Sequence, residues 1–598
     1  MPGLAKQDGN VLRVPGSLRI VCDGAELLAE PVHAFERGHN EIYFGENPVG
    51  GTSCGAHFGG TLTDLKGRAL RGFPRQYFSR LDRLTGWLTD GRWAVATALL
   101  LGLAGARAVD AALEHGGAPR TWVRRIATAA SRHRWCLLAM GICGLAFAWL
   151  VTAGSFEFIH RESFGDFYDF QALSLLQGRL DVPPEVLSGE GFYYGGKCYG
   201  YFGLCPAVIR LPFVALGIAF GQTSRALMTV YFLGALLAAN LILNHLRLKL
   251  AGKAAYPSFS ATLLLTFNVG LGSTFIFLAS RAYIYHEAIL AGAAFALWSA
   301  YFTFRYLADR RLSSGLGALA FGFGAVHCRP TSGLFALSFL GIAALIAAWQ
   351  HPRPLLPGAK RHFAIAGLSA AAFLSFCGVS YLKFRTFAGM PLRYNVQFLD
   401  DPGRLGRIEG KELHLENVRA NADAYFLSFT GKLTRRFPYL RNQSLDTARY
   451  PGIKYDMNEP ILAIPFCMPG LTFLALMGLI VGPALAAPFR PALGALALAA
   501  VPMTAVLLMA VVSSQRYTAD FIPIQIVAAA AALAAIERKP WGPPLRIVAT
   551  ILLVASIFAC GALALRFQGE EVWGVPDSIR THYRELSRWF DRSFGGLR

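Results

Sequence analysis

The chain has 598 residues, of which 54% are hydrophobic and only 16% charged, and its formal net charge is +20. That balance excludes an ordinary soluble domain and points to a polytopic membrane protein. The positive charge does not argue for nucleic acid, because the basic residues are spread through short loops between apolar segments, with no basic helix and no RNA-binding signature.

Residues 1–90 read as a small β-rich region. LRIVCDGAELL and HNEIYFGENPVGGTSCGAHFGGTLTDLKGR alternate in polarity and carry Asn-Pro and Gly-Gly turns. The ending FGGTLTDLKGR resembles the closing strand of a laminin-G or concanavalin-like sandwich. Cys22 and Cys54 share this region and form a candidate disulfide.

Residues 91–566 contain about twelve stretches long enough to cross a ~30 Å hydrocarbon core. They are expected at 93–113, 135–155, 225–246, 260–280, 288–304, 316–326, 334–349, 363–381, 461–481, 493–512, 521–536 and 547–565. The expected fold is therefore an all-α polytopic membrane protein with the β-rich region at its N-terminus. Orientation follows from the short loops rich in Lys and Arg. Arg120, Arg124, Arg125, Arg132 and Arg134 lie in one; Arg247, Lys249 and Lys253, then Arg305, Arg310 and Arg311, then Arg353, Lys360 and Arg361, then Arg538 and Lys539 follow on the same side. These loops are expected to be cytoplasmic. Alternation puts the long connections 156–224 and 383–459 on the outer face, together with residues 1–90 and the tail 567–598. Both connections far exceed an ordinary helix connection of ~2 to 8 residues.

The first outer loop opens with FGDFYDFQALSLLQGRL, in which Asp166 and Asp169 stand one helical turn apart. Either acid could cap the helix that follows, since Asp before an apolar periodic run is a common N-cap. Glu185 and Glu190 lie in PPEVLSGEG, which reads as solvated turn. Cys198 and Cys205 share this loop and form a second candidate disulfide; the other six cysteines fall in or beside apolar segments and read as small buried hydrophobes.

The order of segments carries a resemblance. An acid just beyond a span, a helix ending in LQGRL, an aromatic stretch with GGKCY and a proline-containing apolar helix are followed by RAYIYHEA, CRPTSG, FRTFAGMPLRYN and SSQRYTADFIP. This order resembles the GT-C superfamily of polytopic membrane glycosyltransferases, bacterial members in particular, over residues 135–565. The resemblance implies a polyprenyl-phosphate sugar as donor, a hydroxyl on a glycan, glycolipid or protein as acceptor, and a site on the outer, periplasmic face of the bacterial cytoplasmic membrane. It also implies inversion at the anomeric carbon with a loop carboxylate as general base, an effect worth ~10² to 10⁴ in rate. Asp166 is the first choice for that base and Asp169 the second; either could instead help hold a divalent cation such as magnesium or manganese.

A lipid phosphate needs cationic partners, and Arg holds phosphate oxygens bidentately. The outer-side candidates are Lys197, Arg281, Arg385, Arg393, Arg435, Arg436 and Arg516, with Tyr517 beside the last; interfacial Arg and Tyr also anchor helices in any membrane protein. His327 and Arg329 flank a broken hairpin, where an ionisable group is a functional candidate. His286 and Glu287 are adjacent on a helix and should diverge, which argues against zinc. No P-loop pattern occurs. Two other readings use the same composition: an O-antigen ligase or polymerase with a lipid pyrophosphate donor, and a lipid or solute transporter, which would usually show internal repeats.

Overall fold

The computed structural model describes residues 6–8, 11–22, 25–35 and 134–594, apart from 163, 252–257, 351–356, 388, 482–489, 538, 541, 571–574 and 576. The chain divides into two compact units, Met1–Arg75 and Gln76–Arg598. In the first, β1 (Lys6–Asp8), β2 (Val11–Cys22) and β3 (Ala25–Phe35) form one antiparallel sheet in the order β1-β2-β3. Three strands do not establish the expected β-rich domain reaching residue 90. The FGGTLTDLKGR segment, Cys54 and the expected span at 93–113 lie outside the described residues.

The second unit is helical. Its principal helices are α1 (Arg134–Val151), α2 (Phe167–Leu176), α3 (Cys205–Ala215), α4 (Ser224–Ala251), α5 (Phe259–Gly270), α6 (Ile284–Asp309), α7 (Leu312–Cys328), α8 (Pro330–Trp349), α9 (Pro357–Phe384), α10 (Pro469–Ile480), α11 (Arg490–Met509), α12 (Ile522–Ile536), α13 (Gly542–Glu570) and α14 (Asp577–Phe594). Among the described residues, nine helical segments are long and apolar enough to cross a membrane. The count falls short of twelve for physical reasons besides the undescribed span. α7 has 17 residues, and the expected span 461–481 is split into Ile464–Cys467 and the 12-residue α10 by Pro469, which begins a new helix because it has no N–H to continue the old one.

A spanning helix satisfies its backbone internally, so its side chains need only match what surrounds them. On α13, Ile547, Ile551, Val554 and Phe558 are exposed at helical spacing, while Ala549, Leu553, Ser556 and Cys560 between them are buried. The exposed stripe suits lipid. Burial separates core from rim: 94% of the most apolar window of Gln515–Ile536 is buried, against 28% for Ala359–Phe384. Where helices cross closely, glycine is required. A Cβ on Gly333 would stand 2.2 Å from the Val326 Cα, and this contact closes the α7–α8 hairpin.

The two long connections emerge at one end of the bundle, together with the α5–α6 turn, the α7–α8 turn and residues 510–514. They are tied to each other. β4 (Phe192–Tyr194) and β5 (Lys197–Tyr199) form a hairpin in the first connection, and Phe192 bridges to Asn395 of the second. Val396 N donates to Gly191 O at 3.0 Å. The second connection ends in β8 (Met457–Asn458), which pairs in parallel with β9 (Val512–Ser513).

Candidate functional site

Asp166 occupies the N-cap position of α2 but makes no side-chain cap hydrogen bond. Its carboxylate instead accepts from Arg161 Nη2 at 3.1 Å and stays partly open to solvent, at 19%. Capping therefore does not account for it. Its neighbours point inward: the Phe164 ring lies 6.1 Å from Tyr283, and Phe167 lies 5.6 Å from Phe202.

Asp169 faces the interior. It is fully buried and its Oδ2 is 3.0 Å from Nε of Arg210, which is itself fully buried. The same guanidinium donates to both oxygens of buried Glu287, at 2.7 and 2.9 Å, and to Ser224 Oγ at 3.1 Å. Burial pushes the Asp169 carboxyl up to about 6, against the pull of Arg210. One arginine thus joins α2, α3, α4 and α6 beneath the first connection. Asp166 and Asp169 both approach Gly221, but each carboxylate already has its own arginine, so they do not fit a cage for a divalent cation. Among the described residues no group of three or more His, Cys, Asp or Glu side chains converges.

A narrow pocket with room for about one water lies beside this triad, lined by Tyr201, Phe202, Tyr285, Ala288, Cys328, Arg329 and Pro330. Its charged walls come from far along the chain. Pro330 starts α8 and holds Arg329 extended, at φ −144°. Arg329 then reaches Asp520, donating through Nε at 3.2 Å and Nη2 at 2.9 Å. Asp520 is buried and also accepts from Thr331 Oγ1 at 2.7 Å. Two guanidinium groups approach the Tyr517 ring, that of Arg329 4.7 Å and that of Arg516 5.5 Å from its centroid. Arg516 also covers the Tyr285 ring at 5.2 Å and pairs with Glu459 at 3.0 Å, a meeting set by the β8–β9 register. Tyr285 donates its hydroxyl to Glu190, and Gln397 Nε2 donates to the same carboxylate at 3.1 Å. Behind the pocket, the buried Lys383 ammonium donates to Gly200 O and Phe202 O, each at 2.9 Å.

The remaining sequence candidates are scattered. Arg281 is buried with its guanidinium 3.7 Å from the Tyr283 ring centroid. Lys197 is exposed on β5 and 3.5 Å from Asp181. Arg385 and Arg393 lie over Tyr381 and Tyr394, at 5.5 and 4.8 Å. Arg435 and Arg436 are exposed on a separate hairpin, and Glu185 is exposed. His327 pairs with Ser375 at 3.0 Å. His286 turns its Nδ1 to the Leu278 and Arg281 carbonyls while Glu287 turns to Arg210, so the two diverge. Of the phosphate candidates, only Arg516 and Tyr517 flank the pocket residue Arg329.

The disulfide between Cys198 and Cys205 does not form; both are free. Pairing of β5 fixes Cys198 against Tyr193 and Val182, whereas Cys205 starts α3 and approaches Cys328. Cys22 lies in β2, and its expected partner Cys54 is outside the described residues. Arg210, Asp520, Lys383 and Glu459 were not singled out from sequence. The one signal for them was an ionisable residue inside or beside an apolar run, which is costly unless satisfied. No protein-family model matches the chain, and no curated protein does.

Proposed function

We propose that this protein is an inverting membrane glycosyltransferase of the GT-C type, moving a sugar from a polyprenyl phosphate to a hydroxyl acceptor at the outer face of a bacterial cytoplasmic membrane. The observation that carries the reading is convergence. The segments that suggested the resemblance, FGDFYDFQAL, RAYIYHEA, CRPTSG, FRTFAGMPLRYN and SSQRYTADFIP, are hundreds of residues apart at the extremes, yet all border one pocket or the walls packed on it, the fourth through Phe384 against Phe192. Aromatic walls suit a sugar ring, and arginines suit a phosphate.

In this reading a carboxylate takes the acceptor hydroxyl proton as that oxygen attacks the anomeric carbon. The bond from the anomeric carbon to the phosphate oxygen breaks, and the lipid phosphate leaves with the electron pair. The Arg329 and Arg516 guanidinium groups stabilise the departing charge. The resemblance gives the base role to Asp166. Position gives a second candidate, Glu190, which touches the pocket through Tyr285. Asp166→Asn and Glu190→Gln preserve size, and purified variants given a panel of polyprenyl-phosphate sugars decide between them. The variant lacking the base loses on the order of 10² or more in transfer with donor binding little changed. Full transfer by both variants refutes both of these assignments, and absence of donor binding or hydrolysis across the panel with the wild type refutes the glycosyltransferase reading.

A further inference from the structure

The second long connection carries a hairpin that the pocket does not use. β6 (Gly431–Leu433) and β7 (Leu440–Asn442) pair antiparallel in the segment LSFTGKLTRRFPYLRN. Between Asp423 and Asp446 the chain has no acid and four cations, Lys432, Arg435, Arg436 and Arg441. Lys432, Arg435 and Arg436 are exposed, and none of the three has a carboxylate partner among the described residues. Large apolar side chains stand beside them, with Leu427 69%, Phe429 60% and Leu433 71% exposed. Water alone favours neither feature: the apolar side chains gain nothing from exposure, and like charges repel.

Anchorage sets the depth of the hairpin. Asn442 at its end accepts from Arg566 in the last turns of the candidate span Gly542–Gly569. Thr430 donates to Ile461 O, just before the apolar helices 464–480. The Phe429 ring packs edge-on against Phe466 at 5.2 Å, and Phe466 is itself exposed, as are Leu476 and Ile480 further along α10. The apolar patch of the hairpin therefore continues the outward surface of helices that face lipid. A second protein covering the hairpin would have to share that surface with the bilayer.

We propose that the β6–β7 hairpin is a membrane-surface anchor: Leu427, Phe429 and Leu433 enter the acyl boundary while Lys432, Arg435 and Arg436 bind the phosphates of anionic phospholipid headgroups. This combination of apolar insertion and headgroup attraction is the one interfacial segments use. It is independent of the transfer reaction.

The test uses the full chain in lipid nanodiscs, with Leu433→Cys carrying an environment-sensitive fluorophore and the labelled wild type as background. In discs containing anionic phospholipid the label shifts to the blue and is quenched by lipids brominated near the headgroup; in purely zwitterionic discs both effects weaken. Each cation near the surface contributes roughly a factor of 5, so adding Lys432→Gln, Arg435→Gln and Arg436→Gln lowers the ratio of inserted to withdrawn hairpin by on the order of 10². Raising salt on the unsubstituted cations weakens quenching in the same direction, which keeps the test open if the triple variant does not fold. A label that stays in water in both kinds of disc overturns the anchor, as does quenching indifferent to both charge and salt. Protection that instead grows with protein concentration in detergent overturns it in favour of a second copy.

Discussion

Replacing Arg210 by methionine keeps a flexible unbranched stem and removes the cation that faces two buried carboxylates. Arg210, Asp169 and Glu287 are all essentially without solvent contact, with separations of 3.0 Å to Asp169 and 2.7 and 2.9 Å to Glu287. At an effective dielectric of about 20, an ion pair with charges about 4 Å apart is worth about 4 kcal/mol, and Arg210 makes two. Desolvation cancels much of that gain, so the triad as a whole adds little, but breaking it leaves unpaired buried charge and costs about 3 to 5 kcal/mol. The assay is unfolding in a detergent–lipid mixture, followed for Arg210→Met and for a triple variant that also carries Asp169→Asn and Glu287→Gln. The single variant should lose that amount, and the triple variant should recover most of it because no charge is left stranded. A single variant within about 1 kcal/mol of the wild type, or a triple variant no better than the single, would refute the reasoning.

Other outcomes follow from the same geometry. Burial raises Asp169 from the ordinary 3.8 to about 6, so the folded chain keeps a proton there that the unfolded chain releases, and stability should fall as pH rises from about 4 to about 6. Asp169→Asn should flatten that part of the stability–pH curve, and an unchanged slope counts against the assignment. Lys383→Met strands the Gly200 and Phe202 carbonyls, which should cost about 1 to 3 kcal/mol in the same unfolding assay. In intact cells, cysteines placed at Ser188 and Arg436 should react with a membrane-impermeant thiol reagent above the wild-type background while one at Ala308 should not; equal labelling of all three would sink the orientation.

Most spans are legible from sequence because a run of apolar residues of bilayer length is a local property. Where the run contains Pro469, or ends at Arg329 and Pro330, length alone misjudges the helix. The site was legible as a set of segments and not as a set of contacts. Asp169 and Asp166 look equivalent in FGDFYD, and only the packing of α3 and α6 shows that one of them meets Arg210 while the other stays near solvent. Glu190 reads as a solvated turn acid until Tyr285, 95 residues later, is placed against it. Cys198 and Cys205 are close in sequence, but strand pairing turns one away from the other.

The ion pair between Arg329 and Asp520 spans 191 residues, and Glu190 must wait for Gln397, 207 residues further on. A ribosome delivering the chain from its N-terminus therefore inserts most of the bundle before the last wall of the pocket exists. Contacts of such long range form late, after the closure entropy of everything between them has been met. A chain cut short before Arg516 would keep its early helices in the bilayer with Arg329 lacking Asp520 and Tyr517. Such a fragment would leave the Arg329 guanidinium without the carboxylate that neutralises it in the complete fold.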